Sequence, residues 1–144
     1  MQVASRFAIA VHILSLIGFY PEGDNTSEWM AGSIGVNPVI VRNITGMLRR
    51  ADLVVTQQGV AGARLARPLS GITLLDVYRA VEAVEGGELF SLHANPNPNC
   101  QVGANIQATL EQVFGEAQRA MESRLAGVTM EQVVHNLRIG AGVP

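Results

Sequence analysis

Reactive and metal-binding side chains are scarce in this chain of 144 residues. It has one cysteine, three histidines and no lysine, since all ten basic residues are arginine. One cysteine cannot form a disulfide within the chain, and histidines scattered at positions 12, 93 and 135 lack the spacing of a metal site. No nucleophile–base pair, P-loop or dinucleotide fingerprint is present. The sequence therefore predicts a protein that is not an enzyme and has no metal site and no cofactor.

Long apolar runs are also absent. The longest candidate, residues 7–20, is shorter than the roughly 20 residues that a membrane span needs, and it lacks a clear small-residue cleavage site. We therefore expect a buried first helix there, and a cytoplasmic protein without membrane contact.

Charge is scarce too, at 15% of residues against 48% apolar residues, which predicts one folded domain, or one domain with a dimerisation arm. The net charge of −2 argues mildly against nucleic acid as a partner. However, residues 38–67 hold five arginines and one acid, whereas residues 68–144 hold four arginines and eight acids. A basic head on an acidic body is typical of a DNA-binding protein with a separate dimerisation or sensor half, and chance clustering of arginine is the alternative.

Residues 30–44 have the spacing of a helix-turn-helix. Ala31 is small enough to let a second helix approach, and Gly35 suits the tight turn four residues later. Asn37 is the expected N-cap of that second helix and Pro38 its first residue. Apolar residues that would fill the wedge between the helices are Met30, Ile34, Val36, Val41 and Ile44.

The second helix, predicted over 38–50, separates an apolar face from a polar one. The apolar face holds Ile40, Val41, Ile44 and Leu48, and the outer face holds Val39, Arg42, Asn43, Gly46, Arg49 and Arg50. Arginine suits guanine edges or phosphates and asparagine suits adenine, so this is a candidate recognition helix. An ordinary amphipathic surface helix is the alternative.

Two short strands joined by a turn follow this helix. Residues 53–56 form the first strand-like run, residues 57–62 contain glycines and are predicted as the turn, and residues 63–68 return. Arg64 and Arg67 flank Leu65 and can point away from the core. A hairpin in this position predicts a wing.

At this point the chain resembles the Rrf-two (Rrf2) family of bacterial winged-helix transcription regulators, which includes regulators of iron–sulfur cluster assembly and of cysteine metabolism. The resemblance spans nearly the whole chain and rests on SRFA at 5–8, NPVIVR at 37–42, LRRADLV at 48–54, RLARP at 64–68 and ITLLDVYRAVE at 72–82. It implies a homodimer with two DNA-binding heads and a long dimerisation helix.

The remaining chain divides into three predicted parts. A helix is expected from Thr73 to about Ala83, broken at residues 85–87, followed by a loop over 86–103 that is rich in asparagine and proline. A long helix is expected over 104–125, with apolar residues at helical spacing, and a short one from Thr129, where Gln132 completes a capping box. The predicted division is therefore a DNA-binding domain (1–83), a sensor-like loop (84–103), and a dimerisation helix with a C-terminal helix (104–144).

Cys100 lies in the sensor-like loop, where cluster-binding relatives supply three cysteines. An iron–sulfur cluster needs about four ligands, mostly thiolates, so one cysteine per subunit cannot hold it. The start of the long helix could lower the pKa of this thiol, which makes Cys100 a candidate redox sensor. A structural, unreactive cysteine is the alternative.

The sequence thus predicts a mainly α fold with a small β wing, in a cytoplasmic homodimer that pairs through helix 104–125 and binds double-stranded DNA, as a repressor. The wing, residues 57–63, would lie along the DNA backbone or minor groove. The competing function is a winged-helix protein-interaction scaffold without DNA binding, and a small-ligand sensor is compatible with either. Candidate base-reading residues are Asn37, Val39, Arg42 and Asn43, and further DNA-contact candidates are Arg6, Thr26, Arg49, Arg50, Arg64 and Arg67.

Overall fold

The computed structural model describes residues 3–82, 90 and 92–144. Within these residues the chain forms six α-helices and one two-stranded antiparallel sheet, which confirms the predicted fold class of a mainly α chain with a small β wing. In chain order the elements are α1 (Val3–Phe19), α2 (Ser27–Ile34), α3 (Pro38–Arg50), β1 (Val54–Gln57), β2 (Val60–Leu65), a 3₁₀ turn (Leu69–Gly71), α4 (Leu74–Glu82), α5 (Gln101–Ala126) and α6 (Met130–Gly140).

The helix-turn-helix, α2 and α3, forms as the local sequence predicts. Gly35 ends α2 in the left-handed region at φ 81°, and its N–H donates to the Ala31 carbonyl oxygen at 2.8 Å. Asn37 begins α3, because its Oδ1 accepts the Val39 N–H at 2.8 Å, and Pro38 occupies the first turn. In the predicted wedge between the helices, Met30, Val41 and Ile44 are buried, and Ile34 and Val36 are half-buried. Burying one such side chain contributes about 1.5–3 kcal/mol, so this wedge fixes the crossing of the two helices.

The wing is a tighter hairpin than the sequence predicts. Val54 pairs with Leu65 and Gln57 pairs with Val60, so the turn consists of residues 58 and 59 alone, and the prediction of a turn over 57–62 is wrong. Residues 60–62 have little intrinsic preference for a strand, but the strand that contains them is hydrogen-bonded to the loop before α2 as well as to β1. The Ala63 N–H donates to the Asn25 carbonyl oxygen at 3.1 Å, which ties β2 to that loop.

The core is organised around α1, which packs against α2, α3, α4, α6 and β2. The predicted capping box of α6 is confirmed, since Gln132 and Thr129 exchange hydrogen bonds of 2.9 and 3.2 Å. The placement of α6 with the dimerisation helix needs correction. Met130 is fully buried in the core of the head, and its N–H donates to the Ile72 carbonyl oxygen at 2.8 Å, so α6 belongs to the head.

The long helix α5 begins at Gln101, three residues earlier than predicted, and ends at Ala126. It packs against α4, yet none of its residues is fully buried. Its predicted apolar stripe is half-buried except at Val113, which is 55% exposed. The predicted break at residues 85–87 lies outside the described residues. Across the part of the chain that the structure describes, no helix is long and apolar enough to span a membrane.

Candidate DNA-binding interface

A cleft lies between the N-terminal end of α2, the outer side of α3 and the wing, with a volume of about 360 Å³. Thr26, Arg42 and Arg49 line it, together with Thr56 of β1 and Gly62 of β2. The Arg49 Nη1 donates to the Thr56 Oγ1 at 3.4 Å, so this guanidinium bridges α3 and the wing. Three predicted site residues from two segments, Thr26 before α2 and Arg42 and Arg49 on α3, are thus brought to one concave surface.

The wing keeps its place in the cleft through two residues of unusual backbone conformation. Gly62 has φ 90°, and a Cβ at this position would collide with the Asp24 carbonyl oxygen. Asn25, also at positive φ, is buried and its Nδ2 donates to the Tyr20 carbonyl oxygen at 3.3 Å. The loop before α2 therefore fits closely against β2, which fixes the width of the cleft.

The first turns of α3 are exposed beside the cleft. Val39 is 52% exposed, and Asn37, Arg42 and Asn43 are exposed too. The Asn37 Oδ1 is engaged in the helix cap, which leaves its Nδ2 donors for an external partner. All four predicted base-reading residues therefore share one accessible helix end.

Glu28 is a site residue that the sequence prediction missed. Its Oε1 accepts a hydrogen bond from the Arg42 Nη2 at 3.2 Å, and the side chains are 70% and 58% exposed respectively. The pair joins the first turn of α2 to the first turns of α3 across 14 residues of sequence. Opposite charges on consecutive helices were visible in the sequence, but only the helix crossing places them together.

Two predicted positions are corrected by the structure. Arg6 is only 8% exposed, so it does not lie on the surface that a phosphate contact requires. The reason is that α1 is the central helix and its neighbours enclose even its first turns. Gly46, predicted on the outer face of α3, is buried where the helix faces the cleft floor.

The remaining predicted arginines do not line the cleft, although Arg64 adjoins it. Arg64 is exposed on β2, and its Nη1 donates to the Ala63 carbonyl oxygen at 3.0 Å. Arg50 and Arg67 are exposed as well, but they line a separate groove at the other side of α3. The predicted DNA contacts therefore form one convergent group and two outlying ones.

Cys100 occupies the N-cap position of α5, where its side chain makes no capping hydrogen bond of normal length. It is exposed, and the nearby backbone N–H groups of Gly103 and Val102 lower the pKa of its thiol. Gly103 is required at this position, since a Cβ would collide with the Asn97 carbonyl oxygen of the folded-back loop. The thiol is thus held at the start of the helix that connects to the head through α4.

The donor set of this chain does not fit an iron–sulfur cluster. The sequence contains a single cysteine, and the residues that the structure describes contain no group of three histidine, cysteine or acidic side chains that could hold a metal ion. A cluster needs about four ligands, mostly thiolates.

Comparisons with known proteins agree with this geometry. Residues 3–136 match the Rrf2 family model, described as that of an iron-dependent transcriptional regulator. YwnA of Bacillus subtilis strain 168, provisionally named an HTH-type transcriptional regulator, is 44% identical over 136 residues, which cover 94% of this chain and 99% of YwnA.

Solved structures show the same fold. A protein provisionally described as DNA-binding aligns with a TM-score of 0.72 and 40% identity, covering 89% of this chain and 97% of that one. CymR, the global cysteine regulator of B. subtilis, aligns with a TM-score of 0.68 and 15% identity, covering 94% of this chain and 98% of CymR, a likeness in fold alone. Members of the family are regulators of transcription rather than enzymes. This chain belongs to the Rrf2 family of transcriptional regulators.

Proposed function

We propose that this regulator is a homodimeric repressor that binds a pseudo-palindromic operator. The start of α3 enters the major groove, where Asn37, Val39, Arg42 and Asn43 meet base edges. The observation that carries the proposal is the convergence of Thr26, Arg42 and Arg49 on the cleft between α3 and the wing. The wing lies along the backbone, with Arg64 near phosphate.

Dimerisation is proposed through α5. This helix of 26 residues buries no residue fully within one chain, although it carries a continuous apolar stripe. Val102 and Val113 are 68% and 55% exposed, which is costly for a helix left in water. A second copy packed along the stripe would cover these side chains and set the spacing of two heads to about one helical turn of DNA, roughly 34–36 Å.

Repression follows from occupancy of the operator, and the proposed location is the cytoplasm, where bacterial DNA is accessible. Thiol oxidation at Cys100 is the proposed signal, because its exposed thiol has a lowered pKa and stands at the start of α5. A peroxide would oxidise the Cys100 thiolate to a sulfenic acid and would itself be reduced, its O–O bond breaking. A second thiol, either a small-molecule thiol or the Cys100 of a second copy, would then displace water to form a disulfide.

Gel-shift titration of the full chain over a range of salt concentrations tests DNA binding. Contacts to phosphate release counterions, so affinity for an operator obtained by binding-site selection should fall steeply as salt rises. A scaffold without DNA binding would select no sequence and would show at most weak, unspecific retention. That result would remove the proposed function while leaving the family membership intact.

Light scattering tests the dimer. The unmodified chain should have the mass of two chains, and the double variant Leu110→Glu/Val113→Glu should be monomeric and bind the operator poorly, because two charges enter the apolar stripe. Glu111→Gln is the matched control, since this residue is exposed between the two. A mass of one chain for the unmodified protein would refute the dimer.

A further inference from the structure

A second groove, of about 560 Å³, lies where the end of α3, the chain leaving the wing and α4 meet. We call it the arginine groove. It is lined by Met47, Arg50, Ala51, Leu53, Arg67, Asp76, Arg79 and Ala80. Its volume is within the 300–1,000 Å³ that is usual for sites that hold small molecules.

The arginine groove is separate from the DNA-facing cleft. The cleft uses positions 42, 45, 46 and 49 of α3, whereas the groove uses positions 47 and 50 and the adjoining residue 51. At 3.6 residues per turn these two sets point about 140° apart around the helix axis. A molecule in the groove therefore does not occupy the space that the operator needs beside the wing.

The side chains of the groove suit an anion with an apolar body. Arg50, Arg67 and Arg79 are exposed at its rim, and among the described residues none of them forms a salt bridge with an acidic side chain. Within the part of the chain that the structure describes, Asp76 is the one acidic residue of the lining, and its Oδ2 accepts the Thr73 N–H at 2.9 Å at the start of α4. This lining therefore carries three positive charges against one negative charge.

The floor of the groove is apolar. Leu53 is fully buried, Ala80 is nearly so, and Met47 and Ala51 are half-buried. Glu82, which lies one turn along α4 from Arg79 and interacts with it electrostatically, is outside the lining. The groove thus combines guanidinium groups at the rim, which suit a carboxylate, with apolar surface beneath them, which suits an apolar body.

We propose that the arginine groove is an effector site for a small organic anion, namely a carboxylate carried on an apolar body. The effector bridges the end of the recognition helix, the wing exit and α4. It lowers operator affinity, because it neutralises Arg50 and Arg67 and fixes α3 against α4. The effect on DNA rests on the proposed function, whereas binding of the anion to the groove does not.

Isothermal titration of the full chain with benzoate, without DNA, tests the site itself. Benzoate should bind with one site per chain, and inorganic phosphate, which lacks an apolar body, should bind at least tenfold more weakly. Arg79→Gln should weaken benzoate at least tenfold, and Arg50→Gln provides a second variant at the rim. Arg119→Gln, an exposed arginine of α5, is the matched control and should bind like the unmodified chain.

Three outcomes would overturn the proposal. These are no saturable binding of benzoate, equal binding of phosphate and benzoate, or equal benzoate affinity in Arg79→Gln and in the unmodified chain. Each replaced arginine is exposed, so we expect every variant to fold. Circular-dichroism melting of each variant checks this.

Operator titrations with and without saturating benzoate test the regulatory half. Benzoate should weaken operator binding of the unmodified chain about tenfold and leave Arg79→Gln unaffected, whereas Arg79→Gln without benzoate should bind the operator normally. If Arg79→Gln alone weakens DNA binding and flattens its salt dependence, Arg79 is itself a contact to the DNA backbone and the proposal fails. If the protein binds benzoate but no DNA, the proposed function fails and the anion site stands.

Discussion

Replacing Arg42 with alanine is the sharpest test of how the recognition helix works. Its side chain is exposed on the first turns of α3 and lines the cleft, where we propose that base edges are reached. Removing an arginine that contacts a base costs about 1–3 kcal/mol and relaxes preference at the contacted position. At 1.4 kcal/mol per tenfold, operator affinity should fall by about 5- to 140-fold.

The ion pair between Arg42 and Glu28 leads to a second prediction, in which operator binding becomes tighter rather than weaker. Because both side chains are more than half exposed, the pair stabilises the free protein by only about 0.2–1 kcal/mol. Arg42 must exchange this carboxylate for a DNA partner, and Glu28 also brings negative charge towards phosphate. Glu28→Gln should therefore tighten operator binding by up to about fivefold, with almost no change in melting temperature.

A double-variant cycle separates the two effects of Glu28. If Glu28 acts through Arg42, the gain from Glu28→Gln disappears in the Arg42→Ala background. Fluorescence anisotropy with the selected operator and with single-base variants is the assay, and Arg119→Ala is the control, since this arginine lies on α5 away from the cleft. Unchanged affinity and unchanged base preference in Arg42→Ala would refute the reasoning.

Three further outcomes are expected. Gly62→Ala should lower the free energy of unfolding by about 1–3 kcal/mol, because its φ of 90° and the nearby Asp24 carbonyl oxygen both oppose a Cβ. Gly59→Ala is the control and should cost less, since Gly59 has φ 79° but open space around it. Equal melting curves for the two variants would contradict this. Cys100 should react with iodoacetamide faster than free cysteine at pH 7, and anaerobically purified protein should be colourless. Mild peroxide should weaken operator binding in the unmodified chain but not in Cys100→Ser, and equal effects would make this cysteine structural. Burial raises the pKa of Glu82, and the Glu122 carboxylate raises it further, so the folded state holds this proton more tightly than the unfolded chain does. The resulting contribution to stability is present below the unfolded-state pKa and is lost as pH rises through the folded-state pKa. Glu82→Gln should remove this loss in urea titrations carried from about pH 4 upwards, and parallel pH profiles would contradict it.

The helix-turn-helix could be predicted from sequence because its signals are local. The αL position of Gly35, the cap by Asn37 and the apolar spacing of α3 each act within one or two helical turns. Such features need no knowledge of the rest of the chain. The boundaries of α3 accordingly agree with the prediction residue for residue.

Features that depend on distant contacts were missed. The strand from Val60 is supported by the loop at Asn25, 35 residues earlier, and the burial of Arg6 depends on the helices that surround α1. The pairing of Glu28 with Arg42 requires the angle between two helices. In each case the residue can be read from the sequence, but the residue it contacts is known only from the fold.

The packing of α4 explains how either proposed signal can influence the same output. This helix contacts α1, α3 and α5, so it connects the long helix to the recognition helix through directly packed side chains. Cys100 stands at the start of α5, and Arg79 of α4 lines the arginine groove. A displacement of α5 would therefore act on the contact between α3 and α4, and a ligand in the arginine groove would act on the same contact from another side. Coupling between two sites is reciprocal, so operator binding should weaken benzoate binding by the same factor by which benzoate weakens operator binding. Two titrations on the unmodified chain measure this factor from both sides, and a factor of one in both would show that the anion and the operator are not coupled.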